Sequence, residues 1–371
     1  MRITYLFNSS IPSKNPSSIQ VAKTCEALLN FSNQVNLIVP STGLKISLKE
    51  YYGLKKNLKV TRLSFFKSFP LGLKYYLFSI VSVFYGIFLK TELFITRNLF
   101  TLFFLNLLNK KVIIEIHHDL SIESRIVRFL FHNINILNSK NIIKVVAITN
   151  AVKNYLINDL KVDSNKIHVI PSASSINLKF KKFSKNKKYN IGYFGSLETS
   201  KGSKFIGKLS KLDKNNNYFI YGGIKEQAKK LKEKNQNANL IVNEYIPYSK
   251  IKLYLSKMDI LLMPSNNKLL IATGGVGNLA KFTSPIKLFD YMASGKLIIS
   301  SNLKVFKEVI KHNENCIIVN NLNIVNWKRE INKISKNINK YNKIKKKSYY
   351  LSKQYTYLKR AKKILSNLNI N

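Results

Sequence analysis

The sequence has little cysteine, little acid and few histidines. Its two cysteines, Cys25 and Cys316, stand far apart among 371 residues and lack the spacing of metal ligands. This scarcity excludes a disulfide framework and indicates a reduced, cytoplasmic protein. Five histidines without a cysteine cluster argue against a structural zinc site. A hydrophobic share of 45% is nevertheless sufficient for packed cores.

Long uncharged apolar runs are also absent. The N-terminal segment, residues 1–15, has no extended apolar stretch and no cleavage signal, so it predicts a first buried strand. The longest uncharged apolar run, residues 75–89, falls short of the roughly 18 residues expected of a spanning helix. We therefore expect a core or interfacial helix there.

Basic residues greatly outnumber acids, with 62 Lys and Arg against 18 Asp and Glu and a formal charge of +44. One interpretation is compositional drift, because lysine, asparagine and isoleucine are abundant along the whole chain. The other is attraction to an anionic partner, which could be nucleotide phosphate, a membrane leaflet or nucleic acid. Charge alone does not choose among these partners.

The chain alternates short apolar runs with helical stretches, a pattern typical of parallel strands covered on both faces. Six runs in the first half predict strands: RITYLFN, QVNLIVP, ELFITRN, KVIIEIHH, IIKVVAIT and KIHVIPS. The stretch SIQVAKTCEALLNF, between the first two runs, predicts a helix. A basic linker candidate follows at residues 181–188. The strand pattern then restarts with YNIGYFGS, NYFIYGG, ANLIVNEYI, MDILLMPS, GKLIISS and NCIIVNN.

These patterns predict an α/β protein of two Rossmann-like domains joined near residue 180. The length of 371 residues also suggests about two domains. The tail from Asn321 onward is rich in lysine and asparagine and predicts helices.

The segment from Tyr193 to Lys201 predicts a phosphate-binding turn. A strand ends at Tyr193-Phe194, Gly195 makes the turn and a helix begins near Gly202. Free amides at such a junction suit a phosphate, and Lys201 could neutralise a diphosphate. An ordinary strand–helix loop is the alternative.

Residues 274–280, GGVGNLA, fit a G-x-G-x-x-A pattern. The dinucleotide fingerprint needs a helix that begins within the motif, and here Thr283-Ser284-Pro285 interrupts almost at once. We interpret this segment as a flexible loop.

The stretch TSPIKLFDYMASGKLIISSN, residues 283–302, predicts a short helix with a single acid. Ser284 is the predicted N-cap, Pro285 the first helical residue and Gly295 the end. Amides of the first turn could bind an anion with help from Lys287, and Asp290 could accept hydrogen bonds from a sugar hydroxyl. The alternative is a capped amphipathic helix whose acid is solvated.

This stretch, with YLSKMDILLMPS before it and VFKEVI after it, resembles the donor-site signature of retaining glycosyltransferases of the "glycosyl transferases group 1" type. Further resemblances follow in the family's order over nearly the whole chain: the N-terminal strand, loop and first helix, IIEIHH, VVAITNAVKNYLINDLKVDSNKIHVIPSASS, GYFGSLETSKG and SKQYTYLKRAKKIL. The resemblance implies a GT-B fold with two Rossmann-like domains that face each other across a cleft. It also implies an acceptor-side domain at 1–178, a sugar-nucleotide domain at 179–350 and a closing helix at 351–371.

The resemblance further implies transfer from a nucleotide-sugar donor with retention at the anomeric carbon and without a cofactor or metal. Three sets of residues would take part. Diphosphate charge would be neutralised by Lys201, Ser196 next to Gly195, and amides near Thr283 and Ser284. Asp290 would hold the ribose and Ile246 would lie near the base. His117, with His118 as a rival, would contact the transferred sugar.

Three positions depart from the family's pattern. The family often carries two glutamates eight positions apart, whereas here the second is Asp290 and the first position is Phe282. An arginine commonly follows the phosphate-loop glycine, and Ser196 stands there. Paired glycines in the acceptor-side loop are replaced by Ser17 and Ser18. Lys287 could supply the contact missing at Phe282.

The region from Lys67 to Lys111 mixes aromatic and aliphatic residues with flanking lysines. It predicts either two core helices or a face that rests on an anionic membrane, with a surface-glycan or lipid-linked acceptor such as a lipopolysaccharide precursor. The expected location is then cytoplasmic, at the inner face of the membrane. Two other functions stay open: a catalytically inactive scaffold, and a nucleic-acid-binding protein, although no nucleic-acid-binding motif is found.

Overall fold

The computed structural model describes residues 1–41, 46–64, 70–184, 188–198, 201–266 and 278–368. The chain divides into two compact units, one formed by residues 1–172 with 357–371 and the other by residues 173–356. Each unit is an α/β unit built on one parallel sheet. The domain limits predicted from the sequence are residues 178 and 350, and that functional division stays a prediction.

The first unit is built on a parallel sheet of seven strands in the order β3-β2-β1-β4-β5-β6-β7. The strands are β1 (Arg2–Leu6), β2 (Gln34–Pro40), β3 (Lys59–Leu63), β4 (Leu93–Thr96), β5 (Val112–Ile116), β6 (Ile142–Ala147) and β7 (Ile167–Val169). Its helices are α1 (Pro16–Leu28), α2 (Leu48–Tyr52), α3 (Leu71–Phe88), α4 (Leu99–Leu107), α5 (Arg125–Asn133) and α6 (Asn150–Asn158). Central strands are buried along their length, as expected of a sheet covered on both faces.

The second unit is built on a parallel sheet of six strands in the order β10-β9-β8-β11-β12-β13. The strands are β8 (Asn190–Phe194), β9 (Asn217–Tyr221), β10 (Leu240–Asn243), β11 (Ile260–Met263), β12 (Leu297–Ser301) and β13 (Ile317–Val319). Its helices are α7 (Ser203–Leu212), α8 (Lys225–Lys234), α9 (Ile251–Ser256), α10 (Ile286–Ala293), α11 (Ile324–Lys336) and α12 (Ile338–Ser352).

The last helix, α13 (Tyr357–Leu365), belongs to the first unit and packs on α1. Its buried Arg360 forms an ion pair with Glu115 on β5, with Nη1 3.0 Å from Oε1. Arg360 also donates to the carbonyl of Pro171 and to the hydroxyl of Thr24. One buried cation therefore joins the C-terminal helix to the sheet and to α1.

The predicted α/β class with two Rossmann-like sheets is confirmed, and so is the helical tail after Asn321. Residues 75–89 lie largely within α3, as predicted for a helix. Strand β3 was missed because Lys59–Leu63 is a polar edge strand with little apolar patterning. Within the described part of the chain, no helix is both long and apolar enough to span a membrane.

Candidate active site

The order of strands in the second sheet reverses between β8 and β11. From β8 the chain proceeds to β9 and β10 on one side, whereas β11, β12 and β13 lie on the other side. Ligands of open α/β sheets bind at the carboxyl ends of strands where the order reverses in this way. The segments that follow β8 and β11, beginning at Gly195 and Pro264, lie at this point.

The backbone after β8 is held in a tight turn. The amide of Gly195 donates to the carbonyl of Tyr221, and the Tyr193 hydroxyl donates to the carbonyl of Ser196. Gly202 caps α7 with a left-handed φ of +85°, and a Cβ there would lie 2.2 Å from the Pro264 carbonyl oxygen. Close backbone approach between the two loops therefore requires glycine at this position. The predicted turn at Gly195 and helix start near Gly202 are confirmed.

Lys287, on the first turn of α10, places its ammonium beside this turn. The Nζ atom lies 4.6 Å from the centre of the Tyr193 ring and 3.6 Å from where a Cβ on Gly195 would stand. Burial, together with the nearby Lys201 ammonium, lowers the pKa of Lys287 to about 7. Among the described residues, no carboxylate lies within 4.0 Å of it. The Lys287 ammonium therefore lacks an anionic partner among the described residues, and a bound anion would stabilise its charge.

Two other predicted residues border the same turn. Lys201 forms an ion pair with Glu198, with Nζ 3.1 Å from Oε2, and both side chains are partly exposed. The Ser196 hydroxyl is covered and has no hydrogen-bond partner among the described residues. The structure thus brings Gly195, Ser196, Lys201 and Lys287 together around one turn.

Asp290 lies further along α10 and is buried, with 3% of its surface exposed. Its Oδ1 atom accepts hydrogen bonds from the Ser174 hydroxyl at 2.6 Å and the Tyr248 hydroxyl at 2.9 Å. The Ser175 hydroxyl in turn donates to Tyr248. The alternative of a solvated acid is wrong, because this carboxylate connects α10 to two other segments of the unit. The predicted ribose contact stays a prediction.

The predicted start of α10 is wrong by one residue. Pro285 is the N-cap with an extended ψ of 129°, and the helix begins at Ile286. A residue that precedes proline is disfavoured in the helical region, which keeps Ser284 outside the helix as well. Gly295 follows the end of α10 with a φ of +67°, as predicted for a helix terminus. Thr283 and Ser284 are partly exposed in the segment before it.

Ile246 is partly exposed in the segment after β10, before a short 3₁₀ helix at Tyr248–Lys250. Phe282, at the position of the family's first glutamate, is also partly exposed. Residues 274–277 of the glycine-rich segment and residues 185–187 of the linker candidate lie outside the described residues.

The remaining candidates lie in the first unit. His117 follows β5, and its Nε2 atom lies 3.3 Å from Glu115 Oε2. Burial, assisted by the charge of Arg97, lowers the pKa of His117 to about 3, so the imidazole is neutral. His118 points elsewhere, with Nδ1 2.8 Å from the Asp119 carbonyl oxygen. Ser17 and Ser18 form the first turn of α1, where Ser18 is buried against the Ser13 hydroxyl.

Sequence reasoning missed the aromatic and hydroxyl partners of the site. Tyr193 lies under the Lys287 ammonium, while Ser174 and Tyr248 hold Asp290. The position of Tyr193 at the end of the strand before the turn could have indicated its role. Ser174 and Tyr248 are distant in sequence from Asp290, so no local pattern indicated theirs. Within the described ranges, no group of three His, Cys, Asp or Glu side chains is arranged to hold a metal.

Two successive Rossmann-like units, each built on a parallel sheet, are typical of the GT-B fold. Residues 174–350 match the family model "Glycosyl transferases group 1". Over this segment the chain is similar to the group 1 glycosyltransferases. A search of the curated proteins gives no match.

Solved structures of low sequence identity share the fold over the whole chain. A glycosyltransferase from Rickettsia africae is 17% identical with a TM-score of 0.70, and 99% of each chain is covered. Anabaena Alr3699/HepE in complex with UDP-glucose is 15% identical with a TM-score of 0.71, and 98% of each chain is covered. The lipopolysaccharide outer core galactosyltransferase WaaB is 14% identical with a TM-score of 0.68, again with 98% of each chain covered.

Proposed function

We propose that the protein transfers a sugar from a nucleotide-sugar donor to a surface-glycan or lipid-linked acceptor, with retention at the anomeric carbon. The observation that carries this proposal is the Lys287 ammonium, which lies partly buried beside the Gly195 turn with no carboxylate within 4.0 Å among the described residues. A donor diphosphate is an anion of suitable size and charge for this position. The family match and the solved complex of Alr3699/HepE with UDP-glucose support this choice.

The candidate residues around the Gly195 turn each have a role in this proposal. Lys287 and Lys201 face the diphosphate, and Lys201 exchanges Glu198 for it when the donor binds. The Ser196 hydroxyl and the first amides of α10, next to Thr283 and Ser284, supply hydrogen bonds. When the bond between the anomeric carbon and the phosphate oxygen breaks, its electrons pass to the diphosphate, whose growing charge these groups stabilise.

Binding of the nucleoside uses the neighbouring segments. Asp290 and the hydroxyls that it holds are proposed to bind the ribose, and the backbone at Ile246 to contact the base. In the first unit, His117 is proposed to contact the transferred sugar as a neutral imidazole. Its Nε2–H donates to Glu115, which leaves Nδ1 as an acceptor for a sugar hydroxyl. Ser17 and Ser18 are proposed to lie on the acceptor side.

The proposal is tested by thermal-shift titration with UDP-glucose, UDP-N-acetylglucosamine, GDP-mannose and ADP-glucose. A donor that binds only the folded chain raises the melting temperature by mass action. We expect a concentration-dependent rise with one nucleotide class and release of that nucleotide when acceptor is present. No rise with any donor would contradict the proposal and favour an inactive scaffold.

The role of Asp290 is tested by Asp290→Asn, which keeps the shape of the side chain and removes its charge. If the carboxylate binds the ribose, the variant is expected to lose about tenfold in affinity for UDP but little for 2′,3′-dideoxy-UDP, because only UDP presents the hydroxyls. The measurement is calorimetric titration of both nucleotides. An equal loss for the two nucleotides would show that Asp290 acts only by holding Ser174 and Tyr248.

An anionic membrane surface is proposed as the place of the lipid-linked acceptor. Helix α3 exposes Phe84 and Phe88 on one face, at 56% and 79%, and Lys90 is exposed just beyond the helix end. Exposed aromatic side chains beside lysines suit an interface with anionic lipid.

We expect Phe84→Ser with Phe88→Ser to lower co-sedimentation with phosphatidylglycerol vesicles about tenfold. Val325→Ser, which removes a side chain of the second unit that is 63% exposed and apolar, serves as the control. Equal binding of both variants would attribute vesicle binding to the general positive charge and overturn this part of the proposal.

A further inference from the structure

Arg97 lies at the switch point of the first sheet and is not used by the function proposed above. In that sheet β1 is flanked by β2 and β4, and the strand order reverses between β1 and β4. Arg97 directly follows β4, Phe7 directly follows β1 and His117 directly follows β5. Carboxyl ends of neighbouring parallel strands meet at one edge, so these residues border the crevice where ligands of such sheets bind.

The guanidinium of Arg97 has no protein anion of its own. Its Nη1 atom is covered and without a hydrogen-bond partner among the described residues, and its Cζ atom lies 6.0 Å from the centre of the Phe7 ring. Glu115 is the nearby carboxylate, but it is already paired with Arg360 at 3.0 Å and with His117 at 3.3 Å. Burial of an incompletely paired cation lowers the stability of the folded chain. This cost favours a functional role for Arg97.

Further donors without partners occur at the same place. Helix α4 begins at Leu99, immediately after Arg97 and the N-cap Asn98. The Asn98 Nδ2 and Thr101 Oγ1 atoms are covered and have no hydrogen-bond partner among the described residues, although Asn98 Oδ1 is fully engaged with Tyr75 and with the Thr101 amide. Asn98 as a whole is 4% exposed. Arg97 Nη1, Asn98 Nδ2 and Thr101 Oγ1 therefore lie at or next to the N-terminus of α4, the end of a helix that favours an anion.

We infer that Arg97 binds an anionic group, a carboxylate or a phosphate, on the acceptor and thereby selects acidic acceptors. This inference rests on the proposed function, because it assigns the crevice of the first unit to the acceptor. A guanidinium binds either group through two parallel hydrogen bonds. The donor diphosphate is the other possible anion, but in the proposed function it binds to Lys201 and Lys287 of the second unit. The neutral imidazole of His117 adds no competing charge beside Arg97.

The test is a titration of the full-length chain with glucose, glucuronate and glucose 6-phosphate, in which ligand-observed NMR measures binding. Salt at about 0.15 M screens general attraction to the positive surface. We expect the two anionic sugars to bind at least tenfold more tightly than glucose to the wild-type chain. Arg97→Gln is expected to abolish this preference, whereas Arg97→Lys retains part of it. Arg62→Gln, which removes an exposed arginine on β3, is expected to leave the preference unchanged.

A spectroscopic signal separates ligand binding from a structural role. Because Arg97 helps to lower the pKa of His117, Arg97→Gln is expected to move the imidazole titration upward without lowering the melting temperature. Absence of a preference for the anionic sugars, or a preference that persists in Arg97→Gln, would overturn the inference. A loss of UDP-glucose affinity in Arg97→Gln equal to the loss for glucuronate would assign the anion to the donor and also overturn it. Failure of the wild-type chain to bind any nucleotide sugar would instead count against the proposed function.

Discussion

Replacement of Lys287 by methionine is expected to weaken donor binding about 30–100-fold and to stabilise the chain in the absence of donor. Loss of the ammonium removes its charge-assisted contacts with the diphosphate, which accounts for the weaker binding. The stabilisation follows because the partly buried ammonium lies near Lys201 and has no carboxylate within 4.0 Å among the described residues. Methionine fills a similar volume without this cost, and we expect a gain of about 1–2 kcal/mol.

The gain in stability depends on pH. The pKa of Lys287 is about 7 in the folded chain, well below its ordinary value of 10.5. Between these values the unfolded chain binds more protons than the folded one, so the stability of the wild-type chain rises with pH across this window. Lys287→Met is therefore expected to stabilise most at pH 7 and below, and hardly at all above pH 10.5.

The measurement is denaturant unfolding at several pH values, combined with calorimetric titration of the donor. Lys281→Met is the matched control, because Lys281 is an exposed lysine shortly before α10. A control that loses as much donor affinity as Lys287→Met would assign the effect to overall charge. A variant that is destabilised at pH 7 would contradict the account of the Lys287 environment.

Replacement of Arg360 by methionine is expected to destabilise the first unit by about 3–5 kcal/mol, because it leaves the Glu115 carboxylate buried without its main partner. Burial would raise the pKa of Glu115, but Arg360 and then His117 hold it below its ordinary value of 4.5. The pair therefore contributes stability above about pH 4.5, and this contribution is lost as the pH falls toward the folded pKa.

The pair is tested by denaturant unfolding of three variants: Arg360→Met, Glu115→Leu and the double replacement. We expect the double variant to be more stable than Arg360→Met, because no unpaired charge is then buried. Strictly additive losses would show that Arg360 acts through packing of α13 rather than through Glu115.

The sequence predicted the sheets well because both are parallel and buried on both faces. The run ILLM at β11 is apolar without alternation, and VIIEI at β5 is apolar apart from Glu115; turns separate such runs clearly. Strand β3 does not follow this rule, since an edge strand needs no apolar run. The predicted start of α10 was one residue too early, because proline is compatible both with the N-cap position and with the first helical position.

The candidate site was predicted in part. Gly195 and Lys201 were predicted from a strand, turn and helix pattern, and Lys287 from the helix after Pro285. Ser196 was predicted from the family resemblance, and the fold brings all four together. The partners of Asp290 come from residues 42 and 116 positions away in sequence, which no local pattern could predict. In the sequence, Arg97 resembles any other basic residue after a strand. Only the structure shows that the nearby Glu115 is already paired with Arg360 and His117.

Proton uptake during donor binding tests the central claim most directly. UDP-glucose, GDP-mannose and ADP-glucose are titrated at pH 7 by calorimetry in two buffers of different ionisation enthalpy. Because the pKa of Lys287 is about 7, about half of the chains carry a neutral Lys287 before binding, and a bound diphosphate restores its charge. The account predicts uptake of about half a proton with the cognate donor and none with Lys287→Met. Binding without uptake, or equal uptake in the variant, would contradict it.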